Sequence, residues 1–373
     1  MRKTQTTRFL VSRFTFKPSS MRFKKVFLYR LYLVTVIALI WVLFSILMLY
    51  NIVEVDKELL RTRRLSFFSL AFAIIGFIVA GAEAFYLKNA FRRFPLWLST
   101  ILRMAITFCL FLAASLLFLS LYFVFRYNGS FAEFTDIYVE KIVFTPSFLV
   151  FMIDLGVLSF LSIMILEISD KYGPGGIRNL LWGRYNKPRQ ENRIFLFLDI
   201  NDSTSIAERL GHERYFSMLK DFFADITDPI LENKGSIYQY VGDEVSISWH
   251  NTPENKYRCL RFIKQAVEAL DLREGHYLQA YGFVPRFKTG IHAGDVTAGY
   301  IGIIKKELVF SGDTLNTTAR IRSLCNELGY SYVMTNDFLG GMQNANGFVI
   351  REIGETGFRG REEKEQLFSL QFS

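Results

Sequence analysis

Asp199 closes the apolar run Arg193-Ile-Phe-Leu-Phe-Leu-Asp-Ile200, and Asp243 lies in Tyr240-Val-Gly-Asp-Glu244 between two alternating segments. Further on comes the block Gly312-Asp-Thr-Leu-Asn-Thr-Thr-Ala-Arg320. Two carboxylates held on strands offer the oxygen ligands that a pair of hard cations requires. Asn316 and Arg320, four residues apart, share one helix face, where an amide can orient a ribose and a guanidinium can meet a developing phosphoryl charge. Together these residues point to intramolecular phosphoryl transfer on a nucleoside triphosphate. The stretch Ile200-Asn201-Asp202-Ser203-Thr204 leads into a helix, so its backbone N–H groups, with Ser203 and Thr204, are candidates to cradle the triphosphate tail.

The elements that must position these side chains follow from pattern. Residues 193–200 predict a continuous apolar strand, and residues 203–233 a helix with Asp202, Ser203 or Thr204 as N-cap. Residues 235–241 and 244–250 predict strands joined by Gly242-Asp243, a tight hairpin. A helix over 254–273 follows, then strands near 286–293, 295–302 and 306–311. A helix over 312–328, with Asp313 as N-cap, and short strands near 331–335, 348–354 and 365–371 close the region. This is α+β with a largely antiparallel sheet. If the strands carrying Asp199 and Asp243 are neighbours, the two carboxylates converge and repel unless cations neutralise them.

The first half has another character. Of 373 residues 51% are hydrophobic, and mean hydropathy is +0.21. Four apolar stretches, at about 31–50, 65–87, 95–125 and 144–168, each approach or exceed the ~20 residues needed to span hydrocarbon. Residues 1–30 form a basic arm. Residues 1–50 hold nine of the 44 Lys and Arg and no acid, so the other 35 bases match the 35 acids. The net charge of +9 therefore describes the arm and not a nucleic-acid-binding face. By the positive-inside rule the arm, with Lys88, Arg92 and Arg93, is cytoplasmic, while Glu133, Asp136 and Glu140 suit the outside. Arg61, Arg63 and Arg64 oppose this orientation. An even number of spans puts both termini on one side, here the cytoplasmic face of an inner (plasma) membrane. Glu83, Arg103, Asp154 and Glu167 fall within the spans, where they should pair with one another or face a wet cavity. An interhelical ion pair and a pocket for an unidentified ligand are the two readings. Gly76 and Ala80 have a spacing that lets helices approach closely. Residues 169–192, with Lys171-Tyr-Gly-Pro-Gly-Gly176, form a linker or a transducer, and 193–373 the catalytic region. Cys109, Cys259 and Cys325 lack the number and spacing of a disulfide framework or zinc site.

With these motifs in order, residues 191–371 resemble the class III adenylate/guanylate cyclase family. Phe197-Leu-Asp-Ile200 looks like its first metal-binding strand, and Gly235-Ser-Ile-Tyr-Gln-Tyr-Val-Gly-Asp-Glu244 like its second metal site. Lys288-Thr-Gly-Ile-His-Ala-Gly-Asp-Val-Thr-Ala-Gly299 looks like its central hairpin, and Phe310-Ser-Gly-Asp-Thr-Leu-Asn-Thr-Thr-Ala-Arg320 like its ribose and transition-state helix. The resemblance implies a ferredoxin-like catalytic domain acting as a head-to-tail homodimer on a nucleoside triphosphate. Asp199, Asp243 and the backbone carbonyl of Ile200 would hold two Mg²⁺ or Mn²⁺ ions per active site. Asn316 and Arg320 of the other subunit would orient the ribose and stabilise the transition state, and Arg359 would bind the terminal phosphates. The base-reading positions fall on Gln239 and Val309, which match neither the adenylate nor the guanylate pattern. ATP is the expected substrate on family prevalence, with GTP or a pyrimidine triphosphate open. A cyclase-like receptor that binds without turnover is the alternative, favoured by the missing base-reading pair. A diguanylate-cyclase-like enzyme is a third reading, and the Asn316–Arg320 block counts against it. His292 is expected to be structural.

Overall fold

The computed structural model describes residues 24–53, 62–91, 94–127, 130–138, 146–342, 347–357 and 364–372. The basic residues before Lys24, Arg61, Arg92, Arg93, Glu140 and Arg359 lie outside the described residues.

Long apolar runs without internal breakers make the first half helical. Helices α1 (Lys24–Val53), α2 (Thr62–Ala82), α4 (Leu96–Tyr127) and α6 (Pro146–Tyr172) include four segments long and apolar enough to cross a membrane. The first candidate span begins at Lys24, inside the stretch read as an arm, because Lys24, Lys25 and Arg30 fit the first turns of an otherwise apolar helix. Helix α2 continues through a π-helical turn (Glu83–Leu87) into α3 (Lys88–Ala90). The short helix α5 (Phe131–Tyr138) lies between α4 and α6. Gly76 fits against Trp41 of α1, and a Cβ there would stand 2.8 Å from the Trp41 side chain. The Trp41 indole N–H donates to Ser162 Oγ of α6 at 3.1 Å, which satisfies a buried donor.

Five ionisable groups of these helices, Glu83, Lys88, Arg103, Glu167 and Asp170, meet at one level. Arg103 of α4, 1% exposed, pairs with Glu83 and, at 2.9 Å, with Glu167. Lys88 reaches Glu167 at 3.2 Å and Asp170 at 2.8 Å. Tyr29 near the start of α1 bonds Ser169 near the end of α6, and Arg30 donates to the Ala84 carbonyl in the π turn. The start of α1, the end of α2, the start of α4 and the end of α6 therefore lie together, as an antiparallel bundle requires. Of the two sequence readings for Glu83 and Arg103, the ion pair is the one formed. Glu83, Arg103 and Glu167 each have an opposite partner, which is what makes burial tolerable, whereas half-buried Asp154 has no ion-pair partner among the described residues.

After Tyr172 the Gly-Pro-Gly-Gly segment breaks the helix, and α7 (Gly176–Leu181) precedes the sheet. The strands are β1 (Arg189–Ile200), β2 (Ser236–Val241), β3 (Glu244–His250), β4 (Phe287–Ile301), β5 (Glu307–Ser311), β6 (Tyr332–Thr335), β7 (Val349–Gly357) and β8 (Lys364–Gln371). Their order is β2-β3-β1-β4-β6-β8-β7, with β5 pairing the far part of β4. All pairings are antiparallel except β4 with β6. The strand begins at Arg189, four residues before the apolar run. The single long β4 replaces the two strands expected at 286–293 and 295–302. Gly294 lies inside it, and a Cβ there would stand 2.7 Å from Thr314 Oγ1, so the glycine answers a close helix contact and not a strand end.

The helices of this half are α8 (Ser203–Leu210), α9 (His212–Glu232), α10 (Pro253–Asp271), α11 (Glu274–Tyr281), α12 (Asp313–Leu328) and α13 (Asn336–Leu339). The helix expected over 203–233 is two helices, divided at Gly211, whose φ of +71° no other residue adopts cheaply. Because successive strand residues face opposite sides, Ile194, Leu196, Leu198 and Ile200 enter one core with Phe222, Ile226, Phe262 and Ile263. Phe195 and Phe197 enter another with Phe310, against Leu315 and Ala319 of α12. Asp199 belongs to this second, odd-numbered face.

Among the described residues, hydrogen bonds to one carboxylate tie the two halves. The backbone N–H groups of Lys25 and Val26, the unpaired donors at the start of α1, donate to Asp228 of α9 at 3.2 and 3.0 Å.

Gly76→Ala is expected to destabilise the detergent-solubilised chain by about 1–3 kcal/mol through overpacking against Trp41. Gly81→Ala, whose Cβ meets nothing within 4 Å, should leave the thermal midpoint near the parent value. Parallel thermal unfolding of the two variants checks this.

Candidate active site at the end of strand β1

Three strands bring the charged groups together. In the antiparallel register Asp199 sits opposite Glu244 of β3 and opposite Lys288 of β4. Paired residues in neighbouring strands put their side chains on the same face, so all three converge. Lys288 Nζ stands 3.2 Å from Asp199 Oδ2. Asp243 precedes Glu244 at the tip of the β2–β3 hairpin, where Gly242 supplies a φ of +63°. Asp243 is near enough for its charge to act on Asp199. Burial pushes the Asp199 carboxyl above its ordinary range, and the charge of Asp243 pushes the same way. The Arg322 and Lys288 cations pull it down. Glu244 is likewise raised by burial, against the pull of Arg322.

Helix α12 reaches this centre because Gly290 has no side chain. A Cβ there would strike the Arg322 backbone nitrogen and lie 2.6 Å from the Thr318 carbonyl oxygen. Lying this close, α12 sends Arg322 to Glu244 Oε2 at 2.8 Å and to Asp199 Oδ2 at 3.5 Å. Asn326, one turn on, accepts from Lys288 at 3.3 Å. Lys288, Glu244 and Arg322 had no role in the sequence reading. The strand register would have found the first two. Arg322 needed the glycine at 290 to be recognised as a helix contact.

The other predicted residues fall as follows. Asn316 is exposed and Arg320 half-buried on α12, four residues apart on one face, and among the described residues neither has a side-chain partner. The helix starts at Asp313 with Gly312 as its N-cap, so Asp313 is not the cap. Asp202 is the N-cap of α8 in the left-handed region, without a side-chain cap bond, and Ser203 and Thr204 open that helix. Tyr215 of α9 bonds Ser203, and its hydroxyl is raised by burial and then by the charges of Asp243 and Asp199, which places it beside the carboxylates. Gln239 is exposed on β2, and Val309 is half-buried on β5, a strand that does not pair with β2. His292 is buried and bonded through Nδ1 to Thr335 Oγ1 at 2.8 Å, as a structural residue would be. His292, Asp337 and Glu365 bring one ligand atom each within 4.8 Å, a separate group spanning β4, α13 and β8.

The donor set suits hard cations. Asp199, the Ile200 carbonyl and the buried Oδ1 of Asn201, which has no partner among the described residues, are oxygen donors at the end of β1, and Asp243 is one in the β2–β3 hairpin.

The sequence profile described as the adenylate and guanylate cyclase catalytic domain matches residues 185–371. Adenylate cyclase 2 of Rhizobium meliloti (strain 1021) is 35% identical over 209 residues, 56% of this chain and 58% of that protein. Adenylate cyclase 1 of the same organism is 27% identical over 186 residues, 47% of this chain and 27% of that protein. The chain thus spans under two thirds of the length of these curated relatives. The structure of a bacterial light-regulated adenylyl cyclase shares the fold with a TM-score of 0.52 at 18% identity, over 61% of this chain and 66% of that one.

Gly290→Ala is expected to force α12 off the sheet and cost about 1–3 kcal/mol or more. Denaturant unfolding followed by tryptophan fluorescence measures that loss.

Proposed function

The chain belongs to the adenylate and guanylate cyclase family, and we propose that it is a membrane-bound nucleotidyl cyclase that converts a nucleoside triphosphate, ATP first among candidates, to a 3′,5′-cyclic nucleotide and pyrophosphate. The observation that carries this reading is the electrostatic influence of Asp243, in the β2–β3 hairpin, on Asp199 at the end of β1, beside a helix on which Asn316 and Arg320 have no side-chain partner among the described residues. Asp199, Asp243 and the Ile200 carbonyl would hold two Mg²⁺ or Mn²⁺ ions, and those ions would supply the Lewis acidity that eases loss of the ribose 3′-hydroxyl proton and neutralises the leaving pyrophosphate. The 3′-oxygen forms a bond to the α-phosphorus as the bond to the β-phosphate oxygen breaks. The start of α8, with Ser203 and Thr204, binds the phosphate tail through backbone N–H groups, and Arg359 is assigned to the same tail. Asn316 orients the ribose, and Arg320 meets the charge that develops on the phosphoryl group.

Because Asn316 and Arg320 point away from their own carboxylates, the site is completed by a second copy, and two copies form two sites. An apolar groove of about 400 Å³ between α9 and the β2–β3 hairpin, lined by Phe216, Phe223 and Tyr240 next to Gly242, supports association at this edge. Gln239 and Val309 carry no charge to select a purine, so the base is left to measurement. The four apolar helices anchor the protein in the inner membrane with both termini and the catalytic half in the cytosol. The contact of α1 with Asp228 and the entry of α6 into α7 and β1 are the two routes by which the bundle bears on the catalytic half.

The chain in lipid nanodiscs, given Mn²⁺ and each of four nucleoside triphosphates, should yield a cyclic product by mass spectrometry. Asp199→Ala or Asp243→Ala should abolish it, and Arg320→Ala should lower the rate by about 10²–10³. Metal-dependent nucleotide binding with no product from any triphosphate would establish the silent-receptor alternative. Co-assembled Asp199→Ala and Arg320→Ala chains should regain activity from one intact hybrid site. Folded mixtures without activity would contradict the shared site.

A further inference from the structure

We propose that Arg322 is a positioning residue that serves as the built-in counter-cation of the Asp199 carboxylate and gives up that place to divalent ions. The proposal rests on the reading of Asp199 as a metal ligand given above.

Asp199 is only 8% exposed, and its Oδ2 accepts two cations, Lys288 Nζ at 3.2 Å and Arg322 at 3.5 Å. The two differ in what holds them. Lys288 lies on the paired strand, fixed by register and by Asn326. Arg322 arrives on a helix, divides its guanidinium between Asp199 and Glu244, and keeps a buried Nε with no partner. A guanidinium with an unmet donor and a long contact to Asp199 is the less firmly bound of the two cations.

A divalent ion on Asp199 would stand within a few ångströms of that guanidinium. Like charges at such a distance repel, so ion and side chain compete for the carboxylate. Glu244 gives Arg322 a place to withdraw to, since the 2.8 Å bond survives the loss of the longer one. The movement has a consequence in α12. At 3.6 residues per turn, positions two apart point roughly 200° away from each other, so Arg322 faces its own carboxylates while Arg320 faces outward with Asn316. One helix thereby joins the metal end of its own site to the groups assigned to the ribose and phosphoryl group of the neighbouring site.

The test uses the full chain in nanodiscs and Mn²⁺ alone, without nucleotide, with free Mn²⁺ read by electron paramagnetic resonance. Arg322→Gln is expected to tighten the Mn²⁺ dissociation constant about three- to tenfold, because a competing charge is removed. Arg322→Lys, which keeps the charge, should stay within about twofold of the parent. A merely structural role predicts the reverse, since a loosened site binds more weakly. Unchanged or weaker Mn²⁺ binding by an Arg322→Gln chain that still unfolds cooperatively would overturn the proposal. Should that variant fail to fold, Arg322→Met takes its place with the same expected tightening. Asp199→Asn is the separate control. If it leaves Mn²⁺ binding at the parent level, the assignment of Asp199 as a ligand fails, whatever Arg322 does.

Discussion

A carboxylate at the end of a strand buried on both faces must be met by positive charge, since an ionised group taken out of water without a partner costs several kcal/mol. Asp199 is in this position, with Asp243 and Glu244 adding two more negative charges at the next strand end. The chain answers with Lys288 from β4 and Arg322 from α12. The balance is incomplete, with three carboxylates to two cations, and the uncancelled charge belongs at Asp243, which has no ion-pair partner among the described residues. That surplus of negative charge would favour divalent ions at the site. The fold's other features around it follow: a register that aligns three charged residues, a hairpin that brings in the fourth, and a glycine that lets a helix approach.

The same treatment of charge recurs in the bundle. Arg103 is enclosed by Glu83 and Glu167, and Lys88 by Glu167 and Asp170, at the end of the bundle nearest the catalytic half. The π turn at Glu83–Leu87 lies at this level and offers the Ala84 carbonyl to Arg30. A π turn re-aims the side chains that follow it, here Lys88. Asp228 then caps the first helix from the catalytic side. Burial pushes the Asp228 carboxyl up, while the backbone N–H groups of α1 pull it down. The two halves are thus joined by hydrogen bonds as well as by the chain itself.

Much of this was readable from the residues alone. The end of an apolar run marks Asp199, a Gly-Asp pair between alternating segments marks the hairpin, and an Asn and an Arg four apart mark a helix face. The four apolar helices follow from length and composition. What escaped was everything set by contact at a distance. Lys288 and Glu244 look like ordinary strand residues until the register is known. Arg322 looks like a solvated helix residue until Gly290 is seen to admit α12. The break at Gly211 was hidden because the residues around it suit a helix. The division of β4 was wrongly expected at Gly294, since a glycine reads as a breaker when the Thr314 side chain filling its space is out of view. The cap on α1 joins residues about 200 positions apart, and no local pattern announces it.

The central claim is that Asp199 and Asp243 share divalent ions. Anomalous diffraction from crystals of the chain grown with Mn²⁺ and a non-cyclisable triphosphate analogue tests it most directly. Two manganese peaks about 3.5–4 Å apart, each in contact with oxygens of both Asp199 and Asp243, are the predicted result. Manganese confined to His292, Asp337 and Glu365, or absent from the end of β1 while the analogue is bound, would contradict it.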